Sequence, residues 1–231
     1  MPDLVDLIRR RLAKAGDDAR APGMAAYMKS TMPYRGVLSA TLRSTCREVF
    51  DAHPLPSRQS WQATVLELWD DAGYREERYA ALALTRHKRY AAYQDPEALP
   101  LYRHLVVTGA WWDYVDTIAA HNVGAILRAF PAEVTPVIRS WAVDEDMWLR
   151  RTAIICQLQS KAATDVPLLH EAIEVNLEGS RFGAEFFIRK AIGWALRQHA
   201  RVDPDGVREF VAVHESRLSG LSKREALKHL G

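Results

Sequence analysis

The 231-residue chain has few of the features that mark several large classes of protein. It has only two cysteines, Cys46 and Cys156, which form neither a CxxC pair nor a disulfide framework. A reducing, cytoplasmic location is therefore expected. No apolar run approaches the length of about 20 residues that is needed to cross a bilayer, so we expect no membrane association.

Motifs for metals, phosphates and activated nucleophiles are also missing. The eight histidines are scattered, with no HExxH and no His/Cys cluster at ligand spacing. Neither a glycine-rich phosphate-binding loop nor a GxSxG motif occurs. We therefore expect no metal and no cofactor. The formal net charge of +2 is slight, so a nucleic-acid partner would have to meet a local basic patch.

The apolar pattern predicts helices along nearly the whole chain. Apolar residues recur at three- and four-residue spacing, and no alternating stretch is long enough for a strand. We expect a long helix over about 75–93 and an N-cap at Ser57. Ser222 and Glu225 have the spacing of a capping box for the last helix. Gly193 interrupts a strong helical pattern at a cost of about 1 kcal/mol, which suggests a close approach by a neighbour or a ligand.

A short repeat predicts how the helices are arranged. The sequence Arg-Thr-Ala-Ile from Arg151 is matched by Arg-Lys-Ala-Ile from Arg189 and, more weakly, by Arg-Tyr-Ala-Ala from Arg78. The steps correspond to repeats of about 36 to 37 residues, a period that is typical of paired helices. We predict an all-α, curved α-solenoid of HEAT-like or armadillo-like repeats, forming a single domain over 1–231. The alternative is a generic helical bundle in which the motif recurs by chance.

The most unusual stretch is WWDYVD at 111–116, which holds two tryptophans and two carboxylates. In a helix, Trp112 and Asp116 lie at i and i+4 and share one face. An indole face and a carboxylate both attract positive charge, so this pair suits a cationic guest. The alternative is that the tryptophan belongs to the core and the aspartate is a cap or a surface group.

Further aromatic and basic side chains stand on other predicted helices. They are Tyr27, Trp148, Arg150, Arg151, Phe186, Phe187, Arg189, Trp194 and Arg197. Core packing is the alternative for Trp148, Phe186 and Phe187, and a solvated helix face is the alternative for Arg150 and Arg197. Basic runs at 9–11, 86–89 and 223–228 would suit phosphate contacts on a curved surface, or simply solvation of the helices.

Five stretches together resemble one family. They are MAAYMK at 24–29, WWDYVD at 111–116, WLRRTAI at 148–154, EFFIRKAIGW at 185–194 and LSKREALKH at 221–229. In this order they are similar to the AlkD-like DNA alkylation-repair glycosylases, which are built of HEAT-like repeats. Each motif is modest by itself, but the ordered set extends over nearly the whole chain. The chain departs from the family in a longer loop around 178–183 and in some of its basic residues.

The resemblance implies a metal-free, monofunctional DNA glycosylase that excises positively charged N3- and N7-alkylated purines from duplex DNA. It implies that Asp116 is the catalytic carboxylate, flanked by Trp112 and Trp194, and that the lesion stays in the duplex rather than being flipped out. The expected DNA-binding residues are Arg151, Tyr27, Arg150, Phe187 and Arg197. The expected partner is double-stranded DNA with alkylated bases, bound by a monomer.

These residue types suit that chemistry. When the N-glycosidic bond breaks, positive charge moves onto the deoxyribose, and a fixed carboxylate stabilises that charge more in the transition state than in the ground state. Arg151 would hold a backbone phosphate as a bidentate partner. Two other functions remain open from the sequence. One is a non-catalytic binder of damaged or distorted DNA, and the other is a protein-binding helical-repeat scaffold.

Overall fold

The protein is all-helical in the computed structural model, which describes residues 3–230; this part of the chain contains no β-strand. The prediction of an all-α fold is confirmed. As far as Tyr93, the chain forms the α-helices α1 (Leu4–Lys14), α2 (Ala21–Met28), α3 (Ser39–Ala52), α4 (Arg58–Asp70) and α5 (Arg75–Thr85). Those that follow are α6 (Leu99–Gly109), α7 (Trp112–Thr117), α8 (Gly124–Ala129), α9 (Pro131–Ala142), α10 (Met147–Ile155), α11 (Val166–Glu174), α12 (Phe186–His199), α13 (Pro204–Val213) and α14 (Gly220–Ala226).

The chain divides into two compact units, one ending at Tyr93 and one beginning at Gln94. The prediction of a single domain over 1–231 stays a prediction, and residues 1, 2 and 231 lie outside the described part. Between 3 and 230, no helix combines the length and the apolar character needed to cross a membrane.

Two buried carboxylates at the start of α5 organise the first unit. Glu76 accepts hydrogen bonds from the backbone N–H groups of Arg35 and Val37, at 3.0 to 3.1 Å. Glu77 pairs with Arg9 at 3.1 Å and with Arg35 at 3.0 Å. Buried charge is tolerated where it is paired and hydrogen-bonded in this way. Glu76 and Glu77 thereby connect α1 and the loop before α3 to α5.

The predicted long helix over 75–93 is wrong at its C-terminal end. The α-helix stops at Thr85, and a 3₁₀ segment, Lys88–Tyr93, follows. The Tyr90 hydroxyl accepts a hydrogen bond from the backbone N–H of Leu55 at 2.9 Å, and the Tyr93 ring lies 5.6 Å from that of Trp61. These contacts pack both tyrosines against α4 and the loop that precedes it. They would be broken if α5 continued as a straight helix to residue 93.

In the second unit, α10 and α12 pack against one another. These are the helices that carry the repeated sequences at Arg151 and Arg189, as expected for equivalent helices of successive repeats. The segment that begins with α7 is one continuous helical rod: α7 leads into a π-helical turn, Ile118–Val123, and then into α8. The backbone hydrogen bonds of a π turn span five residues instead of the four of an α-helix, and such turns often occur at functional sites.

Candidate active site

The WWDYVD stretch begins at a sharp change of backbone direction. Ala110 caps α6 in the left-handed conformation, with φ +42°, which residues other than glycine seldom adopt. Trp111 then takes an extended conformation as the N-cap of α7. The turn separates α6 from α7, so that Asp116 lies in the last turn of α7 and faces α10.

Asp116 and Arg151 form a bidentate ion pair between α7 and α10. Arg151 Nε lies 2.8 Å from Asp116 Oδ1, and Arg151 Nη2 lies 2.9 Å from Asp116 Oδ2. The third nitrogen, Nη1, donates to the backbone carbonyl of Phe187 at 2.5 Å. Arg151 therefore joins α7, α10 and the first turn of α12. Its side chain is only 4% exposed, whereas that of Asp116 is 16% exposed.

The environment of Asp116 acts on its charge in two opposite ways. Burial raises the pKa of the carboxyl group above its ordinary value, whereas the hydrogen bonds and charge of Arg151 lower it. Burial is the larger effect, so the pKa is raised. The site thus holds a carboxylate that is largely shielded from solvent and paired with a single guanidinium.

Aromatic rings surround the arginine side of this pair. Phe187 lies at the centre of a cluster with Trp148 at 4.9 Å, Phe186 at 5.4 Å and Trp111 at 5.6 Å between ring centroids. The guanidinium carbon of Arg151 lies 5.9 Å from the centre of the Phe187 ring. Trp148 is buried, as core packing requires, whereas Phe186 is exposed. Of this cluster, the Phe187 ring lies nearest to the arginine of the ion pair.

Arg150, predicted to bind DNA, points into the protein instead. Its guanidinium donates to the backbone carbonyls of Asp144 at 2.6 Å and Val143 at 3.0 Å, and to the side chain of Asn176 at 3.3 Å. The residue is buried, and these bonds fasten the end of α9 to α10. All three guanidinium nitrogens of Arg150 therefore have partners within the protein.

The other predicted site residues are more accessible. Trp112 is half-buried on α7, and Phe187, Trp194 and Arg197 are half-buried on α12. Arg197 forms an ion pair with Glu225 of α14. Tyr27 lies on α2 in the first unit, with 77% of the residue exposed. Of the predicted site residues, Arg151 contacts both Asp116 and Phe187.

Two glycines that permit close helix contacts lie near these residues. A Cβ atom on Gly124, in the first turn of α8, would lie 2.0 Å from the carbonyl oxygen of Cys156 at the end of α10. One on Gly193 would lie 2.6 Å from Cβ of Glu225. The close approach expected at Gly193 is therefore confirmed, and the neighbour is α14. Nothing in the sequence distinguished Gly124 as a site of the same kind.

Side chains that could bind a metal ion do not cluster in residues 3–230. No three or more His, Cys, Asp or Glu side chains are placed there to hold a metal ion. The chemistry available at Asp116 is that of a carboxylate held by a guanidinium beside aromatic rings. Such a group can stabilise a nearby cation or orient a water molecule.

Comparison with known proteins identifies relatives of this helical fold. The family model described as "DNA alkylation repair enzyme" matches residues 8–230. A solved structure titled "Predicted DNA alkylation repair enzyme from Enterococcus faecalis" superposes with a TM-score of 0.80 and 29% sequence identity. The similarity covers 94% of this chain and 97% of that chain. The comparison with curated proteins gives no match.

The fold and these matches define the class as all-helical DNA repair proteins. The chain belongs to the DNA alkylation repair enzyme family, which is the AlkD-like family that its ordered motifs resemble.

Proposed function

We propose that the protein is a DNA glycosylase that removes positively charged N3- and N7-alkylated purines from duplex DNA. The observation that carries this proposal is the Asp116 carboxylate, which is held in one orientation by Arg151 yet remains 16% exposed. A rotationally fixed, partly accessible carboxylate in a water-poor site suits stabilisation of a developing sugar cation.

Asp116 acts on the deoxyribose of the damaged nucleotide. An alkylated purine already carries positive charge and is a good leaving group, so the protein needs to contribute only a few kcal/mol to the transition state. As the N-glycosidic bond breaks, the carboxylate faces the oxocarbenium-like sugar and orients the water that attacks it. The half-buried indoles of Trp112 and Trp194 hold the cationic nucleotide by ring-face contacts.

Arg151 has a different role here from the one that the sequence suggested. Three of its hydrogen bonds go to Asp116 and to the Phe187 carbonyl, and its side chain is 4% exposed. This geometry supports a role in orienting the carboxylate rather than in holding a backbone phosphate. Tyr27, Phe187 and Arg197 remain the proposed DNA contacts.

The test is release of free base from duplex DNA that contains N7-methylguanine or N3-methyladenine. We expect the wild-type protein to release the base and Asp116→Asn to be slower by on the order of 100-fold, the usual effect of losing one electrostatic stabiliser. Asp113→Asn, on the same short helix, is the matched control and should retain most of the activity. DNA binding should persist in both variants.

The outcomes distinguish a glycosylase from the two alternative functions. Tight binding without release from either substrate would identify a damage-binding protein instead. A wild-type protein with no salt-dependent affinity for DNA would point to a protein-binding scaffold. Equal activity of wild type and Asp116→Asn would retain the enzyme but exclude the aspartate from catalysis.

The proposal includes a lesion that stays stacked in the duplex, as the family resemblance implies. A fluorescent base analogue beside the lesion reports unstacking. We expect its emission to stay low when the protein binds, whereas a strong increase would indicate that the nucleotide is flipped.

A further inference from the structure

One stripe of α12 alternates aromatic and basic side chains. Phe187, Lys190, Trp194 and Arg197 lie at i, i+3, i+7 and i+10, which places them within about an 80° arc of the helix. All four are half-buried, while the neighbouring residues Ile188, Ala191, Ile192, Gly193, Ala195 and Leu196 are buried. Stacking rings and cations arranged along one line are typical of surfaces that follow a nucleic-acid strand.

The stripe begins at the candidate active site. The Phe187 carbonyl accepts the hydrogen bond from Arg151 that ties α12 to the Asp116 ion pair. Arg197 lies ten residues farther along α12, a rise of about 15 Å. That distance is about two phosphate-to-phosphate spacings along one strand of a duplex, so cations on the stripe lie within reach of phosphates that flank a lesion at Asp116.

Lys190 and Arg197, the two cations of the stripe, both form ion pairs with one carboxylate from another helix. Glu225 of α14 accepts a hydrogen bond from Lys190 Nζ at 2.6 Å and also pairs with Arg197. The Lys190 and Arg197 side chains are 38% and 24% exposed, and that of Glu225 is 16% exposed. These contacts, together with the charge of Lys228, lower the pKa of Glu225, with the Lys190 hydrogen bond as the largest cause.

The position of Glu225 is fixed by the backbone of both helices. Gly193 lies between the two cations, and its missing side chain leaves room for Cβ of Glu225 and for the Ser222 carbonyl. The Ser222 hydroxyl also donates to the Arg189 carbonyl at 2.9 Å. The carboxylate is thus held against the stripe by packing as well as by charge, and it is not a mobile surface acid.

We propose that Glu225 limits the affinity for undamaged DNA by occupying the place of a DNA phosphate on the stripe formed by Phe187, Lys190, Trp194 and Arg197. A backbone phosphate reaches Lys190 and Arg197 only by exchange with this internal carboxylate. Binding to undamaged DNA therefore gains little from these two cations. This inference rests on the proposal that the protein acts on duplex DNA.

The first measurement is the affinity of wild type and Glu225→Gln for an undamaged duplex over a series of salt concentrations. We expect Glu225→Gln to bind roughly two- to fivefold more tightly, the range set by partly exposed ion pairs. The slope of log affinity against log salt should steepen by about 1, which corresponds to one additional phosphate contact. Unchanged or weaker binding, or an unchanged slope, would overturn the proposal.

A matched control is Glu171→Gln, which removes a carboxylate paired with Arg139 between α9 and α11. Its affinity and salt slope should equal those of wild type. An increase in Glu171→Gln as large as that in Glu225→Gln would show an effect of net charge alone and would overturn the specific role of Glu225.

Two further variants are made in the Glu225→Gln background, where neither cation is paired with the carboxylate. Lys190→Gln and Arg197→Gln should there each weaken binding and flatten the salt slope by up to about 1. If neither changes the slope, the stripe does not meet phosphate and the proposal fails. Base release from alkylated DNA is measured separately, so loss of the proposed glycosylase activity and loss of the Glu225 effect are distinguishable.

Discussion

Arg151 binds both oxygens of the Asp116 carboxylate through two near-parallel hydrogen bonds of 2.8 and 2.9 Å. A lysine would supply the charge but not the fork that fixes the plane of the carboxylate. The third nitrogen of Arg151 donates to the Phe187 carbonyl, so all three guanidinium nitrogens have a partner. The orientation of Asp116 is therefore determined by contacts that involve three helices.

Replacement of Arg151 by Met should change the pH dependence of base release. The guanidinium lowers the pKa of Asp116, against the larger effect of burial, so its removal raises that pKa further. Activity that requires the carboxylate is lost as the pH falls through its pKa. We therefore expect the acid limb of the single-turnover rate profile to move to higher pH in Arg151→Met.

The same variant should lose about 2 to 3 kcal/mol of stability, because it leaves a largely buried carboxylate without its partner. Arg151→Lys should keep the acid limb closer to that of wild type but reduce the maximal rate, since the charge remains and the fork does not. An acid limb that stays in place, or moves to lower pH, in Arg151→Met would contradict the assigned role of the ion pair.

Gly124→Ala should disturb the site from a distance. A Cβ at this position would lie 2.0 Å from the Cys156 carbonyl oxygen, so α8 and the end of α10 must move apart. Because α8 continues the rod that carries Asp116, and α10 carries Arg151, the two side chains should separate. We expect a loss of about 1 to 3 kcal/mol in urea unfolding, together with a lower rate of base release.

Gly23→Ala is the control for this change. Gly23 lies in α2, and no atom comes within 4 Å of a Cβ placed there. Alanine in a helix with free space should be neutral or stabilising, by up to about 1 kcal/mol. Equal destabilisation by the two substitutions would show that the close contact at Cys156 is not the cause.

Two histidines should make the second unit less stable in mild acid. Burial lowers the pKa of His170, whose ring packs 4.3 Å from Phe210, and that of His199. Glu174 and Asp203 oppose this shift for His170, and His199 and His214 add to it. The unfolded chain therefore binds more protons than the folded protein, and stability falls as the pH drops below the ordinary histidine value of 6.5.

Urea midpoints between pH 7.5 and 5.5 measure this effect. We expect the midpoint to fall with pH in the wild type and to fall less in the His170→Gln/His199→Gln variant. His53→Gln, at an exposed position in the first unit, should behave as wild type. A double variant with the full pH dependence of the wild type would exclude these two residues as its source.

Both thiols should be inert in the folded protein. Cys46 and Cys156 are buried, and burial raises the pKa of each to about 12. Because the thiolate is the reacting species, iodoacetamide at pH 8 should label neither residue in the native protein and both after unfolding. Rapid native labelling of one cysteine, detected by mass spectrometry, would show that its helix opens locally.

The helical class was predictable because most of the helices bury one apolar stripe, and a 3.6-residue period is visible without knowing what covers it. The N-cap at Ser57 was also predictable from local sequence and is confirmed by its hydrogen bond from the Ser60 N–H at 3.1 Å. The end of α5 was not, because it depends on the contacts of Tyr90 and Tyr93 with residues more than 30 positions away.

Charged side chains were harder to interpret from sequence, since one guanidinium suits a phosphate, a carboxylate or a backbone carbonyl equally well. Arg150 and Arg151 are adjacent in sequence, yet one fastens α9 to α10 and the other holds Asp116. The predicted capping box of Ser222 and Glu225 is wrong because the Glu225 carboxylate, like these guanidinium groups, has partners on another helix. Ser219 caps α14, and the Glu225 carboxylate is bound to Lys190 and Arg197 on α12.

The π-helical turn of Ile118–Val123 makes the number of residues between two positions part of how the candidate site is built. Asp116 lies before this turn, and Gly124, which contacts the end of α10, lies after it. A turn of this kind takes up one residue more than an α-helical turn while the helices on either side keep their facing directions. Asp116 therefore faces Arg151 while Gly124 contacts the end of α10. One residue inserted into or deleted from the α-helical part of this rod, with no such turn to absorb it, would rotate Asp116 by about 100° relative to Gly124. One of the two contacts would then be lost, so the spacing between these two positions is as constrained as their identities.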